Sequence, residues 1–236
     1  MPYRRLPNTD KARLKALKTA LSKGKELPPF KLAFSQKSNQ RLQCFLDSYQ
    51  NAIHVYKQTY MEQTKKNKQY SATMKKARIY LSHFIQVVNM AILRGDLSPD
   101  TRKHYGLTAD DNRTPPLNSE VELIQWGEKL IRGEAERIMN GCSPITNPTI
   151  ALVRVRYENF LDAHHHQKTL KKNTARTLEK ISDMRSEADD IILQIWNEVE
   201  ESFKDLPDDL RREKAKEYGL VYIYRKNEIN SLNLYN

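Results

Sequence analysis

The chain has 236 residues, of which 39% are hydrophobic, 8% aromatic and 29% charged, and its formal net charge is +11. That is enough to bury a core in one or two domains, and so few aromatics suit helical packing under a large solvated surface. No apolar run approaches the roughly twenty residues of a membrane span, no signal-peptide segment opens the chain, and Cys44 and Cys142 lie too far apart for metal-ligand spacing, so a cytoplasmic protein with reduced structural thiols is expected.

Residues 1–9 form a basic, proline-bounded arm. Asp10 is then expected to cap a short helix with Leu14, Leu17 and Leu21 on one face and Lys11, Lys15 and Lys18 on another. Gly24, Pro28 and Pro29 stop it, and Ser35 is placed as the N-cap of the next helix. Residues 31–94 contain neither Gly nor Pro. Within them Leu42, Leu46, Tyr49, Ile53, Tyr56 and Tyr60 recur at steps of four and three, and Tyr70, Met74, Ala77, Leu81, Phe84, Val88 and Ala91 resume the rhythm. This is a seam of period 3.5, which a strand with its alternating faces cannot produce. The middle reads Thr64-Lys65-Lys66-Asn67-Lys68. Asn tolerates the left-handed conformation and lysines favour the negative end of a helix, so a turn here, giving an αα-hairpin rather than one rod, is the expectation.

Gly95, a Ser98-Pro99-Asp100 helix start, Tyr105-Gly106-Leu107 and a polar linker with Pro115 and Pro116 follow. The order then returns. Ser119 can cap a helix with Leu123, Trp126 and Leu130 on one face, and Gly133 follows Leu130 at the distance at which Gly24 follows Leu21. Asn147 and Pro148 make an N-cap and first-position pair for a second long run, whose inner face is Val153, Tyr157, Phe160 and His164. A turn near Lys171-Lys172-Asn173-Thr174 is expected to return the chain through Leu178, Ile181, Met184, Ala188, Ile192, Ile195, Val199 and Phe203. Leu206-Pro207-Asp208-Asp209 and Tyr218-Gly219-Leu220 echo the earlier helix start and Tyr-Gly-Leu. The tail, residues 221–236, begins with an alternating Val221-Tyr222-Ile223-Tyr224 and reads as extended or as a small hairpin.

The shared order indicates a duplication of roughly 110 residues, with a basic helical repeat at 1–113 and a second at 114–236. The fold expected is all-α, with tandem helical hairpins packed as one pseudo-twofold four-helix bundle and short accessory helices.

Charge is uneven: 22 basic face 8 acidic residues up to Arg113, and 18 face 21 beyond it, so the basic half is expected to face an external polyanion or, in part, the acidic half of the same molecule or of a partner copy. The candidate nucleic-acid-binding residues are Arg4, Arg5, Lys11, Lys15 and Lys18 in the arm and first helix, and Lys65, Lys66, Lys68, Lys75 and Lys76 around the expected hairpin tip. Lysines neutralise phosphates, and Tyr56, Tyr60 and Tyr70 between them could stack bases, although as seam residues they belong to the core. Asp183, Glu187, Asp190, Glu198, Glu201 and Asp205 form an acidic stripe, read as a solvated face, with docking to lysines or divalent-cation binding as the other readings.

His164, His165 and His166 point about 100° apart on a helix and cannot grip one ion together. Only Asp162 before His165 approaches the Glu-x-x-His pattern of a carboxylate-bridged metal bundle. Phosphate loops, a nucleophile elbow and zinc-finger spacing are absent from the sequence, so no catalytic residue, metal ligand or cofactor is assigned. A non-catalytic helical interaction or scaffold protein, with a protein partner or self-association, is the leading reading. Sequence-independent nucleic-acid binding through the first repeat is the alternative, and an enzyme site between repeats is the third.

Overall fold

A computed structural model describes residues 2–109 and 112–224. Along the chain it places a short strand β1 (Tyr3–Arg4), α1 (Asp10–Glu26), a 3-10 turn (Pro29–Lys31), α2 (Gln36–Leu93), α3 (Thr101–His104), α4 (Glu120–Met139), α5 (Ile150–Ser202), α6 (Asp208–Lys216) and β2 (Tyr222–Ile223). The described chain is predominantly helical, as the period of its seams requires, and no helix is long and apolar enough to cross a membrane.

The turns expected at residues 64–68 and 171–174 do not form. α2 is a single helix of 58 residues and α5 a single helix of 53. With no Gly or Pro inside either run, a break would give up helical hydrogen bonds, whereas keeping Asn or Thr in a helix costs only about 0.7 kcal/mol relative to Ala. Packing also favours continuity: Gln167 donates to Asn67 Oδ1 at 3.2 Å, and Thr174 is buried.

Two compact units emerge, one of residues 1–59 with 174–236 and one of residues 60–173, and each draws on both the 1–113 and the 114–236 stretches. In the first unit, Leu42, Leu46, Tyr49 and Ile53 of α2 share a core with Ile181, Ala188, Ile192, Ile195 and Val199 of α5, under Leu17 of α1 and Ala215 of α6. The pairing is antiparallel: Ser38 donates to Glu198 at 2.7 Å, and near the other end Thr59 meets Thr177 at 3.0 Å. In the second unit, Tyr70, Ala77, Leu81, Phe84 and Val88 of α2 share a core with Val153, Tyr157 and Phe160 of α5, closed by Leu123 and Leu130 of α4. Each fully buried Leu or Phe contributes about 1.5–3 kcal/mol. The seam read from the sequence is therefore largely the core, with two exceptions: Tyr60 and Leu178 are exposed.

Caps explain the helix starts. Thr9, not Asp10, caps α1, its side chain accepting from Ala12 N; Asp10 sits in the first turn and binds Arg185 and Tyr49. Ser35 does cap α2, accepting from Ser38 N at 3.2 Å, and Ser119 caps α4 reciprocally with Glu122. For α5 the cap is Thr149, whose hydroxyl and carbonyl accept from Leu152 and Val153, rather than Asn147, which has φ 55° before a cis Pro148. The two Tyr-Gly-Leu stretches close α3 and α6 alike. Gly106 and Gly219 have φ of 69° and 91°, and the following leucine amides reach back to Arg102 O and Ala215 O, a left-handed stop that a side chain resists.

The tail's Tyr222 and Ile223 pair antiparallel with Arg4 and Tyr3, so this part of it is extended and tied to the arm. The remainder of the expected extended or hairpin tail, residues 225–236, lies outside the described residues. Both cysteines are free and exposed, so neither fills the core.

Candidate functional site

The ten basic residues singled out in the sequence fall into both units. In the first, Arg4 donates to Glu200 and Asn197 and lies over Trp196, so it is held inside the fold. The acidic second half of α5 meets its neighbours in the same way: Asp189 takes both arms of Arg13 at 2.7 and 2.8 Å, and Glu198 accepts from Ser35 N at the start of α2. Of the acidic stripe only Glu198 is anchored in this manner; Asp183, Glu187, Asp190, Glu201 and Asp205 are exposed, Glu187 near Arg41. Arg5, Lys11, Lys15 and Lys18 remain exposed on the arm and α1. By spatial unit the charges even out: 22 basic against 17 acidic residues in the first, 18 against 12 in the second.

In the second unit Lys66 and Lys76 come together with Thr73, Arg156 and Gln167, which the sequence did not single out, and with Tyr70, Asp162 and His166, which it had read in other roles. Lys66, Tyr70, Thr73 and Lys76 of α2 face Arg156, Asp162, His166 and Gln167 of α5 across a cavity of about 400 Å³. The α2 set runs at steps of four and three, and on α5 Asn159 and Ala163 complete a run of Arg156, Asn159, Ala163 and His166 at the same steps, so each set lies on one flank of its helix beside the core. Asp162 is the one carboxylate lining this cleft against three cations. Two buried polar atoms there have no hydrogen-bond partner among the described residues: Nε of Arg156, whose guanidinium lies 5.4 Å from the Tyr80 ring centre, and Oε1 of Gln167, a residue only 3% exposed. Such groups call for a partner, since burying them unpaired costs about 1–3 kcal/mol.

On the other side of Tyr70 and Gln167 a cavity of about 250 Å³ is lined by Glu120, His164, Lys168 and Lys171. Tyr70 donates to Glu120 Oε1 at 2.5 Å, and His164 Nε2 stands 3.4 Å from Glu120 Oε2. Burial, then the adjacent Glu120, push the Tyr70 phenol up; the Tyr70 hydroxyl holds Glu120 below the ordinary carboxylate range. The phenol proton is thus committed to Glu120. His164 packs against Phe160 and Tyr70, with Nδ1 buried and unpartnered, while His165 and His166 are exposed. Among the described residues no group of three or more His, Cys, Asp or Glu is placed to hold a metal ion.

Lys65 and Lys68 lie beside Tyr60 on an exposed stretch of α2, and Lys75 is exposed one residue before Lys76. Of the three tyrosines between the lysines, Tyr70 is core, Tyr56 is half-buried and Tyr60 is 52% exposed. None of Lys65, Lys66, Lys68, Lys75, Lys76 or Arg156 is ion-paired with a described carboxylate, in contrast to Arg4.

No family model matches the chain, and neither a curated protein nor a solved structure matches it.

Proposed function

We propose that the chain is a non-catalytic helical interaction protein whose partner is single-stranded nucleic acid, bound independently of sequence along the cation-lined cleft of the 60–173 unit. The observation that carries this reading is the trio Lys66, Lys76 and Arg156, which line one cleft without an ion pair to a described carboxylate, with Lys65 and Lys68 on the adjoining exposed stretch of α2 beside Tyr60 and Glu62. Cations that spend no charge on neighbouring carboxylates are free to displace counterions from phosphates. The reading includes a tandem duplication, supported by the order short helix, long helix, Tyr-Gly-Leu helix in α1–α3 and again in α4–α6. Four-helix packing is part of the reading in the 1–59 and 174–236 unit, where residues of α1, α2, α5 and α6 share one core in place of the two packed hairpins expected from the sequence. A reducing, cytoplasmic setting fits two free, exposed thiols.

The test is fluorescence anisotropy of a labelled single-stranded oligonucleotide. With five phosphate-neutralising cations, affinity should fall about 100-fold between roughly 50 and 200 mM salt. Lys66→Glu with Lys76→Glu and Arg156→Glu should abolish binding while the helical circular dichroism persists, whereas Lys11→Glu with Lys18→Glu should change it less than about threefold. No binding of folded protein at micromolar concentration in about 50 mM salt would end the nucleic-acid reading.

A further inference from the structure

The 1–59 and 174–236 unit holds a second cavity, of about 490 Å³, with a different chemistry and no connection to the reading above. Small residues open it. Ala12, Ala16 and Thr19 stand at i, i+4 and i+7 of α1, so one flank of that helix offers no bulk. The opposite wall is Gly219, Leu220 and Val221, where backbone runs past α1 so closely that a Cβ on Gly219 would lie 3.3 Å from Ala16 O. Trp196, only 1% exposed, contributes to the lining, and the arm from Arg5 to Asn8 closes a side, fixed by the β1–β2 pair and by Arg5 N donating to Val221 O at 2.8 Å.

The lining is mostly apolar, yet three cations, Arg5, Lys15 and Lys216, stand at it, and no carboxylate does. None of the three is ion-paired with a described residue, although Arg4, Arg13 and Lys23 of the same arm and helix all are. An aqueous polyanion would leave the apolar wall unused, and a neutral hydrocarbon would leave the cations unused. A single anionic head on an apolar tail uses both, and the volume lies within the range of roughly 300–1,000 Å³ usual for small-molecule sites.

We infer that this cavity binds a medium-chain fatty acid, the tail along Ala12, Ala16 and Trp196 and the carboxylate among Arg5, Lys15 and Lys216. Trp196 makes the site its own reporter, since the only other tryptophan, Trp126, belongs to the other unit and is removed by Trp126→Phe. Dodecanoate titrated into full-length W126F below its micelle concentration should give a saturable change in Trp196 emission with a micromolar midpoint. Lys15→Glu with Lys216→Glu should weaken it at least tenfold, and Ala12→Leu, which fills the cavity and leaves the cations in place, should abolish it. Dodecanol should bind at least tenfold more weakly than dodecanoate. Absence of a saturable change, equal affinity for dodecanol, or unaltered binding by Ala12→Leu would each overturn the inference, as would displacement by a polyglutamate peptide at lower concentration than by dodecanoate.

Discussion

Replacing Arg137 by Met keeps most of a buried side chain's volume and removes its guanidinium. That group donates from Nε to Glu134 Oε2 at 2.8 Å and to the Tyr105 hydroxyl at 3.1 Å, and from Nη2 to Glu134 Oε1 at 3.0 Å and Ser143 O at 2.5 Å. Glu134 is 0% exposed and after the change keeps only the Tyr105 hydroxyl and the Ile145 amide. A buried carboxylate stripped of its cation costs about 3–5 kcal/mol, which urea denaturation at neutral pH should register. The pH dependence sharpens the test. Burial pushes the Glu134 carboxyl up, but hydrogen bonds from Arg137, Ile145 and Tyr105 outweigh it and hold the group below the ordinary carboxylate range. In the native protein its contribution is therefore present above the unfolded value and lost only as pH falls through the lower folded value. In R137M burial is no longer outweighed, the carboxyl is raised, and taking up a proton relieves the site. The variant's deficit should narrow as pH falls from about 7 to 5, and Glu134→Gln added to R137M should recover part of it. A loss under about 1 kcal/mol, or a deficit that widens on mild acidification, would refute the assignment of this pair as a buried ionic lock.

Gly127 of α4 faces the Tyr157 ring so closely that a Cβ would lie 2.2 Å from it, and the ring is fixed by its hydroxyl donating to Ile124 O at 3.0 Å; Gly127→Ala should cost about 1–3 kcal/mol in thermal or urea unfolding. Asn67→Pro should remove helical circular dichroism and about 3 kcal/mol or more of stability, because the position is a helix interior, while Asn67→Ala should stay within about 1 kcal/mol; equal tolerance of both would mean a turn there. Residues 1–113 expressed alone should show no cooperative unfolding transition, since Leu42, Leu46, Tyr49 and Ile53 share their core with Ile181, Ala188, Ile192 and Ile195, and mixing with 114–236 should restore helical signal.

Much of the helical fold was legible because apolar period is a local property. Leu42, Leu46, Tyr49, Leu81, Phe84 and Val88 were read as seam and are buried, as are Val153, Phe160, Ile192 and Val199. What the seam could not reveal was its width. Phe45, Ile85, Ile191 and Trp196 lie off the 3.5 rhythm yet are buried, because a short helix packs on a second flank of each long one and widens the apolar stripe. Nor could local chemistry decide between turn and rod at Asn67. The preference of Asn for a non-helical conformation is worth a few tenths of a kcal/mol, and the Gln167 amide that donates to it is 100 residues away.

Charge by halves left open what the basic half meets, for a related reason. Counted by halves, the chain has a basic beginning and an acidic end, but α5 is itself divided: its residues 150–173 hold five basic and two acidic side chains, and its residues 174–202 three basic and eight acidic. Antiparallel pairing then decides which cations are spent. The acidic part of α5 lies with α1 and the start of α2, where Asp189, Glu200 and Glu198 take Arg13, Arg4 and the Ser35 amide. The basic part lies with the lysines of α2, where Arg156 and His166 join Lys66 and Lys76 instead of neutralising them. An unpaired cluster therefore arises where two like-charged helix stretches are held together by the apolar residues between them, Tyr70 and Ala77 with Tyr157 and Phe160. Like charges held together in this way repel, and Arg156, whose Nε has no hydrogen-bond partner among the described residues, stands among them.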